Sequence, residues 1–220
     1  MSIAVKICGV TTPAAVDTAV MAGAVYGGVV SHPKSPRFVG LEQARLLAQR
    51  MRGRLKVVSL VADLDDSSLE VLVKMIEPDF LQLHGQETVK RTAEIRSRFG
   101  LPVIKALSVA EAQDLVEAAD YENVADMLMF DAKPPKGAER GGGHGAAFDW
   151  KILRGHNFSK PWFLAGGLSP ENVGRAICLS GASQVDVSSG VEIAPGIKDP
   201  TRIAEFITAT KKAFLSVQSA

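Results

Sequence analysis

The sequence predicts a single (β/α)8 TIM barrel that spans residues 1–220. Short runs of β-branched and other apolar residues alternate with helical patterns along the whole chain, which is typical of a parallel sheet with crossover helices. Eight such pairs are present, and their mean repeat of about 27 residues suits a small eight-stranded barrel. A doubly wound open sheet is the alternative fold. The chain has no Gly-x-Gly-x-x-Gly motif after its first strand, which argues against the dinucleotide-binding form of that alternative.

The predicted strands are mostly continuous apolar runs, as expected where both faces of a sheet are buried. They are expected at residues 3–8, 25–31, 55–61, 79–83, 102–106, 126–131, 161–165 and 184–188. The helical patterns lie at residues 13–22, 41–52, 66–76, 86–98, 109–119, 148–154, 169–180 and 199–216. Signals for a helix N-terminus occur at Thr12 before Pro13, at Ser108, and at Ser169 before Pro170.

Composition restricts the class of protein. Of the 220 residues, 46% are hydrophobic and 22% are charged, which is ordinary for a globular protein with one sizeable core. The 25 basic and 24 acidic side chains give a net charge of +1, so no overall field would hold nucleic acid or an anionic membrane. Two cysteines are too few for a disulfide framework, and no apolar stretch approaches the roughly 20 residues that span a bilayer. With no secretory signal pattern, the chain is expected to be cytoplasmic.

Two long connections follow strands two and six, on the side of a barrel where active sites are built. Residues 32–40 contain two prolines, and residues 132–147 contain a Pro-Pro pair and a Gly-Gly-Gly-His-Gly segment. Proline and glycine clusters also form inert solvent loops. Because loops longer than about 12 residues in compact domains tend to be functional, the second connection is predicted to be a mobile lid.

Cys8 and Asp131 are the candidate acid–base pair. They close predicted strands one and six, so a closed barrel places both at the same mouth, on different sides. An acid at the end of a buried strand is suited to proton transfer near neutral pH. Taken singly, a buried cysteine is often only packing, and an aspartate often caps a turn. Together they could act on opposite faces of one substrate, as proton transfer within a sugar requires.

Two glycine-bearing segments predict a phosphate site. Gly166 and Gly167 follow strand seven, and Ser188, Ser189 and Gly190 follow strand eight. In barrels, phosphate commonly binds between these two loops, at the N-terminus of a short extra helix, where backbone N–H groups and hydroxyls donate to it. Plain tight turns are the alternative.

Arg37 and His84 are candidate side chains of the substrate pocket. Arg37, in the loop after strand two, could offer its planar fork to a carboxylate, although a lone arginine is more often solvated at the surface. His84 ends strand four and faces the mouth, as a pocket wall, a metal ligand or a structural histidine. With four histidines and no histidine or cysteine cluster at ligand spacing, no metal site is predicted.

Seven segments in one order carry a family resemblance. They are Lys-Ile-Cys-Gly at 6–9, Ser-Pro-Arg at 35–37, Leu-Gln-Leu-His-Gly at 81–85, Asp131, the glycine-rich and Phe-Asp-Trp segments within 142–150, Leu-Ala-Gly-Gly-Leu at 164–168, and Asp-Val-Ser-Ser-Gly-Val-Glu at 186–192. The series resembles the phosphoribosylanthranilate isomerase family of tryptophan biosynthesis, from residue 3 to about residue 214. His144 stands where that family usually has threonine or serine.

The resemblance implies a cofactor-free barrel whose partner is a small phosphosugar substrate. The reaction would be the Amadori rearrangement of N-(5-phosphoribosyl)anthranilate to 1-(2-carboxyphenylamino)-1-deoxyribulose 5-phosphate. By the same resemblance, Asp131 is the general acid that opens the ribose ring, and Cys8 is the general base that removes the C2 proton. Arg37 would take the anthranilate carboxylate, and the loops after strands seven and eight would hold the phosphate. A monomer or a homodimer is expected.

The thiol needs help to act as a base, because its ordinary pKa is about 8.5. Lys6 and local backbone N–H groups are the candidates for this help. Strand alternation is expected to point Lys6 away from the thiol.

Two other readings compete with this function. A neighbouring phosphosugar barrel would need either a metal with several histidine ligands, as in a ribulose-phosphate epimerase, or an aspartate at position 8, as in a histidine-pathway isomerase. A phosphate-ligand binding barrel, or one kept as an assembly partner, would have no turnover. Such a binder needs the phosphate loops but not the pair of Cys8 and Asp131.

Overall fold

Eight parallel strands, β1 to β8, close into a barrel in the order of the sequence. The computed structural model describes residues 3–133 and 147–218. Each strand pairs with its sequence neighbours, and β1 pairs with β8. The strands are Ala4–Cys8, Tyr26–Val30, Lys56–Val61, Phe80–Leu83, Val103–Val109, Met127–Ala132, Trp162–Leu164 and Gln184–Val187. The predicted (β/α)8 barrel is confirmed.

Helices α1 to α7 connect the strands and follow the last one. They are Pro13–Ala22, Leu41–Met51, Asp66–Ile76, Val89–Phe99, Ala118–Glu122, Val173–Ser180 and Pro200–Gln218. Short 3-10 helices are formed by Ala112–Leu115, Trp150–Leu153 and Ser189–Val191. An antiparallel hairpin of β9 (Glu192–Ala194) and β10 (Ile197–Lys198) follows β8, a feature that the sequence analysis did not predict. None of the helices in the described ranges is long and apolar enough to cross a membrane.

Helix α1 begins as predicted, and two other predicted helix starts are wrong. The side chain of Thr12 accepts a hydrogen bond from the backbone N–H of Ala15 at 3.2 Å, which caps α1. Ser108 instead lies inside β5, whose two-residue alternation continues to Val109. Ser169 precedes a turn, and α6 begins only at Val173, whose N–H donates to the Ser169 carbonyl.

Two predicted helices are shorter than expected. The extension of β5 reduces the helix predicted at 109–119 to a 3-10 helix and the five residues of α5. The helix predicted at 148–154 is the 3-10 helix Trp150–Leu153. Most of the predicted lid, including His144, lies outside the described residues.

The barrel interior is apolar toward the N-terminal ends of the strands. Tyr26 packs edge-on against Phe80 and Phe163, with ring centroids 5.7 and 5.2 Å away. Val58 and Ile104 are buried in the same inner cluster. A second, larger apolar layer lies between the outer faces of the strands and the helices. Since the inner cluster fills one end of the barrel, a site can form only at the carboxyl ends of the strands.

Candidate active site

Strand alternation turns polar side chains into the barrel at its carboxyl end. Residues two apart on a strand share a face, so the inward positions above the apolar cluster are fixed by the register. Those positions hold Lys6 and Cys8 on β1, Gln82 on β4, His84 directly after it, Asp131 on β6 and Asp186 on β8. These side chains surround one mouth of the barrel, the position that the sequence predicted for Cys8, His84 and Asp131.

Lys6, Cys8 and Asp186 form a buried cluster on β1 and β8. Lys6 is fully buried, and its Nζ donates to Asp186 Oδ1 at 2.8 Å. A Cβ atom added to Gly28 of β2 would lie 3.2 Å from Lys6 Nζ and 3.4 Å from Cys8 Sγ, so the two groups lie beside the same glycine. The expectation that Lys6 points away from the thiol is therefore wrong. Positions 6 and 8 are two apart and face the same side of the strand.

The charges of this cluster act on the thiol. Burial raises the pKa of the Cys8 thiol, and the nearby Lys6 ammonium only partly offsets the effect. Burial acts to lower the pKa of Lys6, but Asp186, together with Cys8, outweighs it and the pKa is raised. Lys6 is therefore a cation at neutral pH, while Cys8 holds its proton in the free protein.

The β9–β10 hairpin holds Arg37 inward rather than in solvent. Arg37 Nε and Nη2 donate to the two carboxylate oxygens of Glu192 at 2.7 and 2.8 Å. Lys198 Nζ donates to Glu192 Oε1 at 2.7 Å and to the Ser188 carbonyl at 2.9 Å. Burial acts to raise the pKa of Glu192, but hydrogen bonds from Arg37 and Lys198 outweigh it and hold the pKa below its usual range. Burial lowers the pKa of Lys198.

Arg37 also lies next to the thiol strand. Its side chain packs where a Cβ of Gly9 would be, with Cδ 2.5 Å from that position. Gly9 directly follows Cys8 and has a φ of +72°, so the loop after β1 leaves room for the guanidinium stem. The loop after β2 and the end of β1 therefore meet at one side of the mouth.

Asp131 forms a chain of polar contacts with His84 and Gln82. His84 Nε2 lies 3.2 Å from Asp131 Oδ2, and Gln82 Nε2 lies 3.0 Å from His84 Nδ1. Asp131 Oδ1 accepts from the backbone N–H of Ala132 at 2.9 Å. With the Gln82 amide donating to Nδ1, the proton of a neutral His84 resides on Nε2 and faces Asp131. His84 thus lies against the candidate acid.

The two glycine-bearing loops after β7 and β8 lie against each other. Gly166 has a φ of +83°, and a Cβ there would collide with the backbone N of Ala132 and lie 2.9 Å from Asp131 Oδ1. A Cβ at Gly190 would collide with the carbonyl oxygen of Leu168. Among the described residues, the backbone N–H groups of Gly166 and Gly167 donate to no other residue. Donors of this kind suit an anion.

Ser188 is occupied by contacts within the protein. Its Oγ donates to the Cys8 carbonyl at 3.1 Å and accepts from Lys198 Nζ at 3.2 Å. Ser189 and Gly190 begin the short 3-10 helix after β8. The hydroxyl of Ser188 therefore connects the ends of β1 and β8 and is already used.

Sequence reasoning gave no role to four polar residues of the site, Gln82, Asp186, Glu192 and Lys198, and it expected Lys6 to point away from the site. For Lys6, Gln82 and Asp186 a signal was available, because each interrupts an otherwise apolar strand. Glu192 and Lys198 lie in the unpredicted hairpin. In residues 3–133 and 147–218, no group of three or more His, Cys, Asp and Glu residues could hold a metal ion.

A closed eight-stranded barrel with a thiol, a carboxyl group and glycine loops at its carboxyl-end mouth places the protein in the class of (β/α)8 barrels. The family model for N-(5'-phosphoribosyl)anthranilate (PRA) isomerase matches residues 5–209. The chain belongs to this family and is an isomerase.

Relatives of the same name are similar over nearly the whole chain. The N-(5'-phosphoribosyl)anthranilate isomerase of a Bradyrhizobium strain is 50% identical, over 99% of this chain and 100% of its own. That of Paracoccus denitrificans is 53% identical, over 94% of this chain and 96% of its own.

Solved structures agree with these relatives. Phosphoribosyl anthranilate isomerase from Thermotoga maritima has a TM-score of 0.86 and 34% identity, covering 96% of this chain and 99% of its own. A phosphoribosyl anthranilate isomerase in complex with reduced 1-(o-carboxyphenylamino)-1-deoxyribulose 5-phosphate has a TM-score of 0.83 and 31% identity, with the same coverage. The family resemblance of the sequence is confirmed.

Proposed function

We propose that this isomerase converts N-(5'-phosphoribosyl)anthranilate to 1-(2-carboxyphenylamino)-1-deoxyribulose 5-phosphate, in tryptophan biosynthesis, with Cys8 as base and Asp131 as acid. The observation that carries the proposal is the position of these two side chains. Cys8 ends β1 and Asp131 is the last residue but one of β6; the two strands are separated by β7 and β8, and both side chains lie at one mouth. A sugar bound across that mouth would present opposite faces to the two groups.

Asp131 would open the sugar ring. A proton passes from its carboxyl group to the ribose ring oxygen, the bond between C1 and that oxygen breaks, and the anthranilate nitrogen lone pair forms a C1=N Schiff base. His84, at 3.2 Å, is expected to orient the carboxyl group and to stabilise the carboxylate that this transfer leaves.

Cys8 would complete the rearrangement. As a thiolate it takes the C2 proton, the electrons of that C–H bond form the C1=C2 double bond, and the Schiff-base nitrogen accepts the displaced pair. The resulting enolamine tautomerises to the ketone. Because burial raises the pKa of the Cys8 thiol, the base needs a cation nearby, and Lys6 is in place.

The two ends of the substrate, which lie away from the reacting carbons, would each be bound by its own set of groups. Arg37, beside the Cys8 strand, is expected to bind the anthranilate carboxylate. The backbone N–H groups of Gly166, Gly167, Ser189 and Gly190 are expected to bind the phosphate, while Ser188 supports this loop through its bond to the Cys8 strand. Binding energy gained at both ends would orient the sugar for proton transfer.

The location and assembly of the chain are part of the same proposal. A cytoplasmic enzyme that acts on a small molecule is expected, with neither nucleic acid nor membrane as a partner. We expect a monomer or a homodimer. A related structure shows monomers of the dimeric Thermotoga maritima phosphoribosylanthranilate isomerase, at 31% identity and a TM-score of 0.83.

Turnover by wild type and two site variants tests these roles. The unstable substrate is generated in place under reducing conditions, and loss of its anthranilate fluorescence is followed with wild type, Cys8→Ser and Asp131→Asn. We expect kcat to fall about a hundredfold to ten-thousandfold in each variant, since each removes one proton-transfer group. Cys178→Ser is the matched control, because Cys178 is an exposed cysteine on α6, outside the barrel interior.

The outcomes separate the competing readings. Near wild-type turnover by one variant, with its far-ultraviolet circular dichroism unchanged, would remove that residue from its role. Binding of the reduced product analogue without turnover by fresh, reduced wild type would favour a phosphate-ligand binding barrel instead.

A further inference from the structure

The ammonium of Lys6 lies inside the barrel next to the thiol that is proposed as base. We propose that Lys6 is a positioning residue that holds a positive charge beside the Cys8 sulfur, and that Asp186 competes with the thiolate for this charge. The inference rests on the proposed role of Cys8 and deepens it. It assigns to Lys6 and Asp186 opposite effects on the same sulfur.

Gly28 makes the close approach possible. It pairs with Cys8 in the β1–β2 register and carries no side chain on the inner face. The space that its Cβ would occupy is bordered by Lys6 Nζ at 3.2 Å and Cys8 Sγ at 3.4 Å. The side chain of Lys6 can therefore lie along the inner wall and bring its ammonium to the level of the sulfur. A larger residue at position 28 would fill the space between them.

Lys6 has more N–H donors than Asp186 uses. An ammonium group has three N–H donors, and Asp186 Oδ1 takes one of them at 2.8 Å. Lys6 is fully buried and Cys8 is almost fully buried, so bulk water cannot supply the compensating charge. Desolvation opposes a thiolate in such a place unless a cation or a hydrogen-bond donor pairs with it.

The other charged groups around Cys8 are already committed. Lys198 of β10 also acts on the thiol, but its Nζ donates to the Ser188 carbonyl, the Ser188 hydroxyl and Glu192. Arg37, packed over the neighbouring Gly9, is held by both oxygens of Glu192. From β8, Asp186 is the anion that opposes the thiolate, and Gly28 on β2 brings no charge.

When Cys8 loses its proton, one cation therefore faces two anions. In the resting protein Lys6 and Asp186 neutralise each other, and the thiolate adds one negative charge to the pair. Removing Lys6 leaves the thiolate opposite an unpaired carboxylate and makes deprotonation harder. Replacing Asp186 by its amide removes the competing anion and makes deprotonation easier. A purely structural ion pair would not shift the titration of the thiol in opposite directions.

The test is a direct titration of the Cys8 thiol in the full chain. Cys178→Ser serves as the background, because its removal leaves Cys8 as the single cysteine. Thiolate absorbance and the rate of iodoacetamide alkylation are measured against pH for this background and for Lys6→Gln and Asp186→Asn within it. We expect the midpoint to rise by about one pH unit or more in Lys6→Gln and to fall in Asp186→Asn. The acid limb of the kcat/KM profile should move in the same directions.

Lys105→Gln is the matched control. Lys105 is also buried and also paired with a carboxylate, that of Glu87 at 2.9 Å, but it lies on the outer face of β5. It should leave the thiol midpoint unchanged. An unchanged or lowered midpoint in Lys6→Gln overturns the role of Lys6. An unchanged or raised midpoint in Asp186→Asn overturns the competition.

Failure here is distinguishable from failure of the proposed function. The titration needs no substrate, so it reads the environment of Cys8 whether or not Cys8 is the base. Loss of the role of Cys8 would show only in the turnover of Cys8→Ser. If Lys6→Gln fails to fold, the double variant Lys6→Gln/Asp186→Asn replaces it, because it leaves no unpaired buried charge. Its midpoint should lie above that of Asp186→Asn, and an equal or lower midpoint overturns the role of Lys6.

Discussion

At the scale of single residues, the site depends on charges that are buried in pairs. Glu192 is the clearest case, because it accepts from Arg37 through two hydrogen bonds and from Lys198 through a third. A guanidinium held through Nε and Nη2 keeps its plane fixed, and Nη1 donates to no other described residue. The guanidinium donors that Glu192 does not use are therefore set in place before a carboxylate arrives, which lowers the entropy cost of binding.

Arg37→Ala is expected to lower kcat/KM about 10-fold to 100-fold, chiefly through a higher KM, because it removes one charged hydrogen-bond partner of the substrate. Lys198 still neutralises Glu192 in this variant. Arg37→Lys keeps the charge but loses the planar fork, so it should restore little of the loss. Steady-state kinetics of the three proteins make the comparison. An unchanged kcat/KM in Arg37→Ala would remove Arg37 from the substrate site.

At the scale of elements, the strands could be predicted well because each is a short apolar run, and strand ends place Cys8 and Asp131 without further information. The connections were harder. Ser108 has the chemistry of a helix cap, yet it lies between two apolar positions and continues the alternation of β5. It pairs with Asp131 of the neighbouring strand β6, and this tertiary pairing makes it part of a strand rather than of a helix.

Partners that come from distant parts of the chain could not be predicted. Glu192 and Arg37 are 155 residues apart, and only the closed barrel brings the hairpin after β8 to the loop after β2. The two-residue period of the strand does predict the direction of Lys6, because positions 6 and 8 share a face, so the expectation that it points away from Cys8 misapplies that period. His84 was predicted at the mouth, while its contact with Asp131 depends on the register of β4, β5 and β6.

The backbone conformation and close packing of Gly166, in the loop after β7, can be tested by substitution. Gly166→Ala should destabilise the fold by at least about 3 kcal/mol, because it combines a positive φ with a collision against the Ala132 backbone. Gly53→Ala is the matched control. Gly53 has a φ of +76° and nothing within 4 Å of its Cβ position, so about 1 to 2 kcal/mol from the backbone alone is expected. Urea unfolding measures both variants, and equal losses would contradict the close approach at Gly166.

At the scale of the whole molecule, the barrel is closed unevenly. In the described residues, Leu164 and Val185 form the one pair in register between β7 and β8, whereas β2 and β3 are in register along all five residues of β2. The β7–β8 pair is therefore less extensively hydrogen-bonded than the β2–β3 pair. The proposed phosphate loops follow β7 and β8 and meet at Leu168 and Gly190. A ligand whose oxygens accepted hydrogen bonds from both loops would hold β7 and β8 together at this point.

Hydrogen exchange with and without the reduced product analogue measures that effect. Local separation of two paired strands has its own free energy. A ligand that binds only the paired form raises this free energy of opening by about 2.7 kcal/mol at a concentration 100 times its Kd. We expect amides at residues 164–168 and 185–191 to gain more protection than those at 26–30 and 56–60. Inorganic phosphate alone should protect the same two segments, more weakly, because it lacks the sugar and the carboxylate. An equal gain of protection in the β7–β8 and β2–β3 pairs, or a gain confined to β2 and β3, would place the phosphate elsewhere on the barrel.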